Sequence, residues 1–218
     1  MTKKKTLFTL FTVSLFALAL AAVPVFGAKI ESDIPTEVKQ AAEEGLALFQ
    51  SKVSGNPTSY GYHDASEVKQ TTLGEGYQIH YVNGQKLEND NKGSLLDISE
   101  AADVWEFTVD LNGQPKSFLT IAFEDGKYRV VEFGGNAAAY GDTMKKFKQK
   151  TNQKPILVKA GPAFYFVKKS GSDELVLPAV TEKQASILGL DDATSFKPSS
   201  EVVKMLKEIQ KKNKGKRG

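Results

Sequence analysis

The sequence predicts an α+β protein: an N-terminal helix packed on an antiparallel β-meander, then a helix, short strands and a C-terminal amphipathic helix. Three observations carry this reading. Val38, Ala42, Leu46 and Phe49 recur at helical spacing; three consecutive runs, Val104–Leu111, Lys116–Phe123 and Lys127–Phe133, alternate apolar and polar residues; and Asn112-Gly113 and Asp125-Gly126 separate them. Both dipeptides favour positive φ and close tight antiparallel hairpins.

Taken in order, Lys3, Lys4 and Lys5 precede an uncharged apolar run from Leu7 to Phe26, the basic and apolar regions of an export signal. Val25 and Gly27 suit a cut before Ala28, so residues 1–27 are expected to be a signal peptide. The alternative is an uncleaved anchor, because ~20 apolar residues suffice to span a bilayer, and the body is exported in either case. The expected location is secreted, or associated with the cell envelope, with membrane contact only through that segment if it is retained.

Residues 35–52 read as an amphipathic helix that begins after Asp33–Pro35 and dissolves into Ser54-Gly55-Asn56-Pro57, a set of turn formers. Tyr77, Ile79 and Tyr81 alternate in a short strand that stops at Asn83-Gly84. In the first meander run Trp105, Phe107 and Val109 share one face, and Glu106, Thr108 and Asp110 the other. The first face is expected to meet a helix and the second to meet solvent. Beyond Gly134-Gly135-Asn136, residues 137–150 carry Tyr140, Met144 and Phe147 as a helical stripe. Strands at Ile156–Lys159 and Ala163–Lys168 flank Gly161-Pro162, a third apolar run covers Leu175–Val180, and Thr181 with Gln184 forms a capping box for a short helix that closes at Gly189. Ser199 or Ser200 caps a last helix, with Val202, Leu206 and Ile209 on one side. The expected segments are 28–150, 151–203, which belongs to the same domain or a second one, and a basic tail at 204–218.

Residues 36–136 resemble the cystatin-like and PepSY-like modules of secreted bacterial proteins, a helix followed by a twisted antiparallel sheet. They also resemble a group of exported Gram-positive proteins in which a Leu-Gly-Glu element precedes a Trp-bearing strand, an Asn-Gly turn and a strand ending in Gly-Gly. Those elements are Leu73-Gly74-Glu75, Trp105, Asn112-Gly113 and Gly134-Gly135. The resemblance implies a fold and a location and brings no catalytic signature.

Composition excludes several chemistries. With 40% hydrophobic and 10% aromatic residues the 218-residue chain can build a core. The absence of cysteine removes disulfides, thiolate metal sites and a cysteine nucleophile. A formal charge of +3 conceals a segregated layout: residues 28–203 hold 19 basic and 25 acidic side chains, and residues 204–218 hold seven basic against Glu208 alone. That layout argues against a generally basic, nucleic-acid-binding protein.

Candidate sites are few. His63 with Tyr60 and Tyr62 forms an aromatic loop suited to binding, and Trp105 is a further aromatic candidate. His80 reads as a solvated strand residue. Glu88–Gly93 superficially fits a calcium loop, but Lys92 falls at a ligand position, so a polar turn is expected and no metal site or cofactor is assigned. Gly134, Gly135 and Asn136 stand where a strand enters a helix, the geometry of an anion site, or of a tight turn with Asn136 as cap. Lys204, Lys207, Lys211, Lys212, Lys214, Lys216 and Arg217 form a cationic end suited to an anionic cell-wall polymer, or a solvated helix terminus. The leading expectation is a non-enzymatic binding protein with such a polymer or a secreted protein as partner. Alternatives are an envelope hydrolase with a carboxylate or histidine site, and an inhibitor or chaperone-like partner of a secreted protease.

Overall fold

A computed structural model describes residues 34–190 and 194–214. The expected signal at 1–27, and Lys216 and Arg217 of the basic end, lie outside the described residues. In chain order the elements are α1 (Thr36–Val53), a 3-10 turn (Pro57–Tyr60), α2 (Ala65–Lys69), β1 (Thr72–Val82), α3 (Gly84–Asn89), β2 (Ser99–Leu111), β3 (Gln114–Glu124) and β4 (Lys127–Gly134). They continue with α4 (Ala138–Thr151), β5 (Ile156–Ala160), β6 (Ala163–Ser170), β7 (Asp173–Ala179), α5 (Glu182–Leu188), β8 (Lys197–Pro198) and α6 (Ser199–Lys214). The described fold therefore mixes six α-helices with one eight-stranded sheet, ordered β4-β3-β2-β1-β5-β6-β7-β8. Every neighbouring pair is antiparallel except β1 and β5, which run parallel. The segment around Lys150–Pro155 thus joins two stretches of chain that share a continuous sheet.

The turn chemistry acts as its dipeptides require. Asn112 and Gly113 have φ of 53° and 72°, and Asp125 and Gly126 have 49° and 82°, the paired positive values of a two-residue hairpin. β1 begins at Thr72, five residues ahead of the alternation at Tyr77. Its extra stretch contains Gly74 and Gly76 and is bulged against β2 between Leu73 and Gly76. Bulge and glycines obscure the period-two pattern there. A Cβ on Gly76 would come within 2.3 Å of the Phe107 ring, which is why the strand needs glycine at that point.

α1 buries Val38, Ala42, Phe49 and Val53 in a cluster with Trp105, Phe107, Val109, Leu119 and Ile121. The other face of β2 departs from its expectation of solvent. Glu106 and Thr108 are buried and Asp110 is half-buried, because α4 lies across that face. Its Tyr140, Met144 and Phe147 pack with Tyr77, Ile79, Leu157, Phe166 and Leu177. Alternation identified two faces, and a helix some thirty residues downstream decided that both would be covered. A third cluster gathers Tyr165, Val167 and Val176 beneath Val202, Val203 and Leu206 of α6, together with Leu87, Leu95 and Ile98 from the β1–β2 connection.

Ser199 does not act as a plain helix cap. Its hydroxyl donates to Glu174 at 2.9 Å and accepts from the Leu95 backbone N–H at 2.6 Å. Glu174 also accepts from the Ser94 hydroxyl at 2.7 Å, so this carboxylate ties β7, α6 and the β1–β2 connection together.

Candidate functional site

The aromatic loop and the glycine turn, separated by some seventy residues in sequence, meet at the β4 edge. The Tyr60 ring packs on Phe133 with centroids 6.3 Å apart, and it lies 3.5 Å from where a Cβ on Gly134 would stand. Tyr60 and His63 are exposed. Tyr62, expected at the surface with them, is a core ring at 2% exposure; it meets Phe49 edge-on, and its hydroxyl bonds Ser117 at 3.2 Å. Trp105, expected as a binding aromatic, is likewise buried beside α1. The loop therefore presents one of its two tyrosines, because a chain entering α2 must fold one ring inward to close over Phe49. Gly134 and Gly135 both adopt positive φ. Asn136 accepts from the Ala138 N–H at 2.9 Å, while Ala137 occupies the cap position.

His63 Nδ1 stands 3.2 Å from Asp64, whose other oxygen accepts from the backbone of Ser66 at 2.7 Å and Glu67 at 3.1 Å, and from the Ser66 hydroxyl at 2.6 Å. The Ser66 hydroxyl and its other hydrogen-bond partners hold the Asp64 carboxyl well below the usual carboxylate range. Serine, aspartate and histidine are all present, but aspartate lies between the other two. The histidine is bonded to the acid and not to the serine, so it cannot take the serine's proton as a nucleophile–base pair would. The arrangement caps α2. His80 is half-buried in β1, and burial lowers its pKa.

The basic end is a docked helix through Lys214. Lys207 donates to the Asp90 carbonyl, and Lys214 pairs with Glu88 at 2.7 Å, so two of the seven expected cations hold α6 against the segment that fitted a calcium loop so poorly. In that segment Asp90 accepts from the backbone of Lys92 at 3.2 Å and Gly93 at 3.0 Å, which makes it a polar turn. Lys204, Lys211 and Lys212 remain exposed on the outward side of α6. Between α5 and α6 runs a cleft of about 530 Å³ bordered by Lys197, Lys204 and Lys212, with Leu190, Met205 and Ile209 in its lining. The neighbouring Ile187 is 74% exposed.

The third region lies under α4, where sequence reasoning placed only a solvated strand face. Glu106 accepts from the Thr120 hydroxyl at 2.9 Å and stands 3.5 Å from Lys159 Nζ. Burial pushes the Glu106 carboxyl up, and Lys159 partly offsets this. At the other end of α4, Lys148 and the Tyr77 hydroxyl both donate to Glu75. Asp110 sits nearby, raised chiefly by burial and further by the Glu75 charge. Glu75 was visible as part of Leu73-Gly74-Glu75, but its pairing with Lys148 and Tyr77 and its place beside Asp110 were not. The available signal was the pair of glycines flanking Glu75, which marks a close backbone approach within a strand.

The chain matches no protein-family model, no curated protein and no solved structure among those compared. No described helix is long and apolar enough to cross a membrane.

Proposed function

We propose that this is an exported, envelope-associated binding protein that holds an anionic cell-surface polymer on the outward side of α6. The observation that carries the reading is the division of labour among the lysines of that helix. Lys207 and Lys214 are committed to Asp90 and Glu88, whereas Lys204, Lys211 and Lys212 face solvent, with Glu208 exposed among them and without an ion pair among the described residues; Glu201 is paired with Lys197 at 2.7 Å. Rigid display of cations on a docked helix gives a polymer repeated charge contacts at little ordering cost. Their strength comes from counterion release and falls with salt. A cystatin-like or PepSY-like module, with α1 packed against the sheet of β2–β4, remains part of the proposal. The exposed Tyr60 beside Gly134 offers a separate contact for a protein partner at the opposite sheet edge, roughly 30 Å away at ~4.8 Å per strand.

The test uses the protein lacking residues 1–27 and purified cell walls. Removing the chain after Val203 would strip Leu206 from the core, so the informative variant is the triple charge reversal Lys204→Glu, Lys211→Glu, Lys212→Glu. The expected result is retention of the parent protein that weakens between about 50 mM and about 500 mM salt, and at least about tenfold weaker retention of the variant at an unchanged melting temperature. Equal retention of both proteins would overturn the reading.

A further inference from the structure

α5 and α6 face each other across the cleft of about 530 Å³, and Leu188, Leu190, Met205 and Ile209 lie in its lining. Leu188, Leu190 and Met205 pack partly against the cluster beneath α6, whereas Ile209 and Ile187 stand outside it. Ile187 borders the same cleft and, at 74%, is the most exposed large apolar side chain among the described residues. A lone exposed isoleucine is ordinary, but this one continues into the cleft lining and so ends an apolar strip. The capping box of Thr181 and Gln184 starts α5, and Gly189, at φ 68°, closes it. Ile187 is therefore held outward on an anchored turn of helix.

Cations rim this strip. Lys204 and Lys212 border the cleft, Lys211 is exposed beside them, and Lys183 is exposed one turn ahead of Ile187 on α5. These four lysines form no ion pair among the described residues. Lys197 and Glu201, also in the lining, neutralise one another at 2.7 Å. Glu182 and Glu208 are the other exposed acids of the two helices, so positive charge prevails over the described surface; Asp191 and Asp192, next after Leu190 in the sequence, lie outside the described residues. An anionic wall polymer uses the lysines and leaves the apolar strip idle. A surface that is anionic at its boundary and apolar beneath uses both.

We infer that the α5–α6 face docks on a bilayer of anionic phospholipid, with Ile187 entering the boundary between headgroups and acyl chains and Lys204 and Lys212 at the headgroup phosphates. An apolar side chain among lysines enters that boundary through the apolar area it buries and through attraction to anionic headgroups. Each lysine near such a surface adds to the attraction within a Debye length. Lys204, Lys211 and Lys212 are shared with the proposed polymer contact, which itself requires no lipid.

Flotation of the protein lacking residues 1–27 with vesicles of equimolar phosphatidylglycerol and phosphatidylcholine tests this, against vesicles of phosphatidylcholine alone. Binding is expected to the first and at least about tenfold weaker to the second. Ile187→Asp, at an exposed position, should keep the parent melting temperature and weaken binding to the anionic vesicles about tenfold or more, the least that withdrawing an isoleucine from an apolar environment costs. Its retention on purified walls should be unchanged. Ile187→Trp should bind, and its emission should move to shorter wavelengths on anionic vesicles, a shift absent from the parent, whose single tryptophan, Trp105, is buried. Absence of binding to the anionic vesicles, equal binding to both vesicle types, or undiminished binding of Ile187→Asp would overturn the inference and leave the polymer reading to stand on wall retention. A lipid-free dimer in sedimentation that Ile187→Asp dissolves would also overturn it, by assigning the face to a second copy of the chain. Vesicle binding by a parent protein that walls do not retain would sink the polymer reading instead and support the lipid contact.

Discussion

The two halves of the sheet follow one plan and close their cores differently. In each, a helix precedes strands that pair antiparallel in chain order: α1 with β1 to β4, and α4 with β5 to β8. The halves join through their first strands, which run parallel, and the two helices cover opposite faces. The register that sets Tyr77 beside Glu106 puts both on the α4 side, while Phe107 faces α1. The first half fills the cluster under α1 entirely from residues 34–133. The second half cannot do the same, since its cluster under α6 borrows Leu87, Leu95 and Ile98 from the β1–β2 connection. Two-residue turns close two hairpins in each half, so turn length does not separate them. The second interrupts its strands with α5 and ends on a two-residue β8, so it depends on apolar residues lent across the parallel junction.

The largest expected effect comes from breaking that loan. Leu95 is fully buried, and Leu95→Ala should cost about 2–5 kcal/mol by urea denaturation, the range for a buried leucine that leaves a cavity. Although Leu95 belongs to the first half in sequence, amide exchange should accelerate more in β6 and β7 than in β3. Uniform acceleration across both halves would show that the cores are not separable in this way.

A smaller effect tests the polar link between the halves, Glu106 of β2 and Lys159 of β5. Burial raises the folded-state pKa of Glu106 above its unfolded value. Its contribution is therefore fully present below about pH 4.5, the unfolded value, and is lost as pH rises towards the folded value. Asp110, raised in the same direction, adds a slope of the same sign. Lys159→Met leaves the buried carboxylate uncompensated and should cost about 3 kcal/mol near pH 8, with a steeper loss between about pH 5 and about pH 8. Glu106→Gln should flatten that dependence, leaving the part due to Asp110. Urea midpoints at the two pH values distinguish these outcomes, and identical pH slopes in all three proteins would refute the link.

The smallest effect sharpens the contrast in turn chemistry. Gly113→Ala at the β2–β3 turn and Gly171→Ala at the β6–β7 turn both place a methyl in open space at positive φ, 72° and 62° respectively. The cost at each is conformational, about 1 kcal/mol. A thermal melt should show similar losses in the two, so the turns are equivalent and the asymmetry lies in the cores. A much larger loss at Gly113 would move the cause of the asymmetry into the turn.

The hairpins, the stripe of α1 and the capping box of α5 were legible because each rests on neighbours within a few residues. The capping box is present with both of its hydrogen bonds. The site residues were legible only where exposure followed from local context, as at Tyr60 and His63. Tyr62 failed because alternate rings in an aromatic loop look alike until one finds Phe49. Glu106, Thr108 and Asp110 failed because period-two alternation distinguishes two faces without saying which one a distant helix will cover.

By itself, the sequence determined the α+β class, the two-residue turns and the concentration of cations after Val203, since turn geometry and net charge are properties of adjacent residues. The tertiary structure alone decided that β1 and β5 would pair in parallel, that α4 would seal the acidic face of β2, and that Lys207 and Lys214 would dock while Lys204, Lys211 and Lys212 stayed outside. Those outcomes depend on contacts between residues as much as 126 positions apart, as in Lys214 with Glu88. Such contacts are selected by burial and charge compensation in the assembled fold, and no local pattern encodes them.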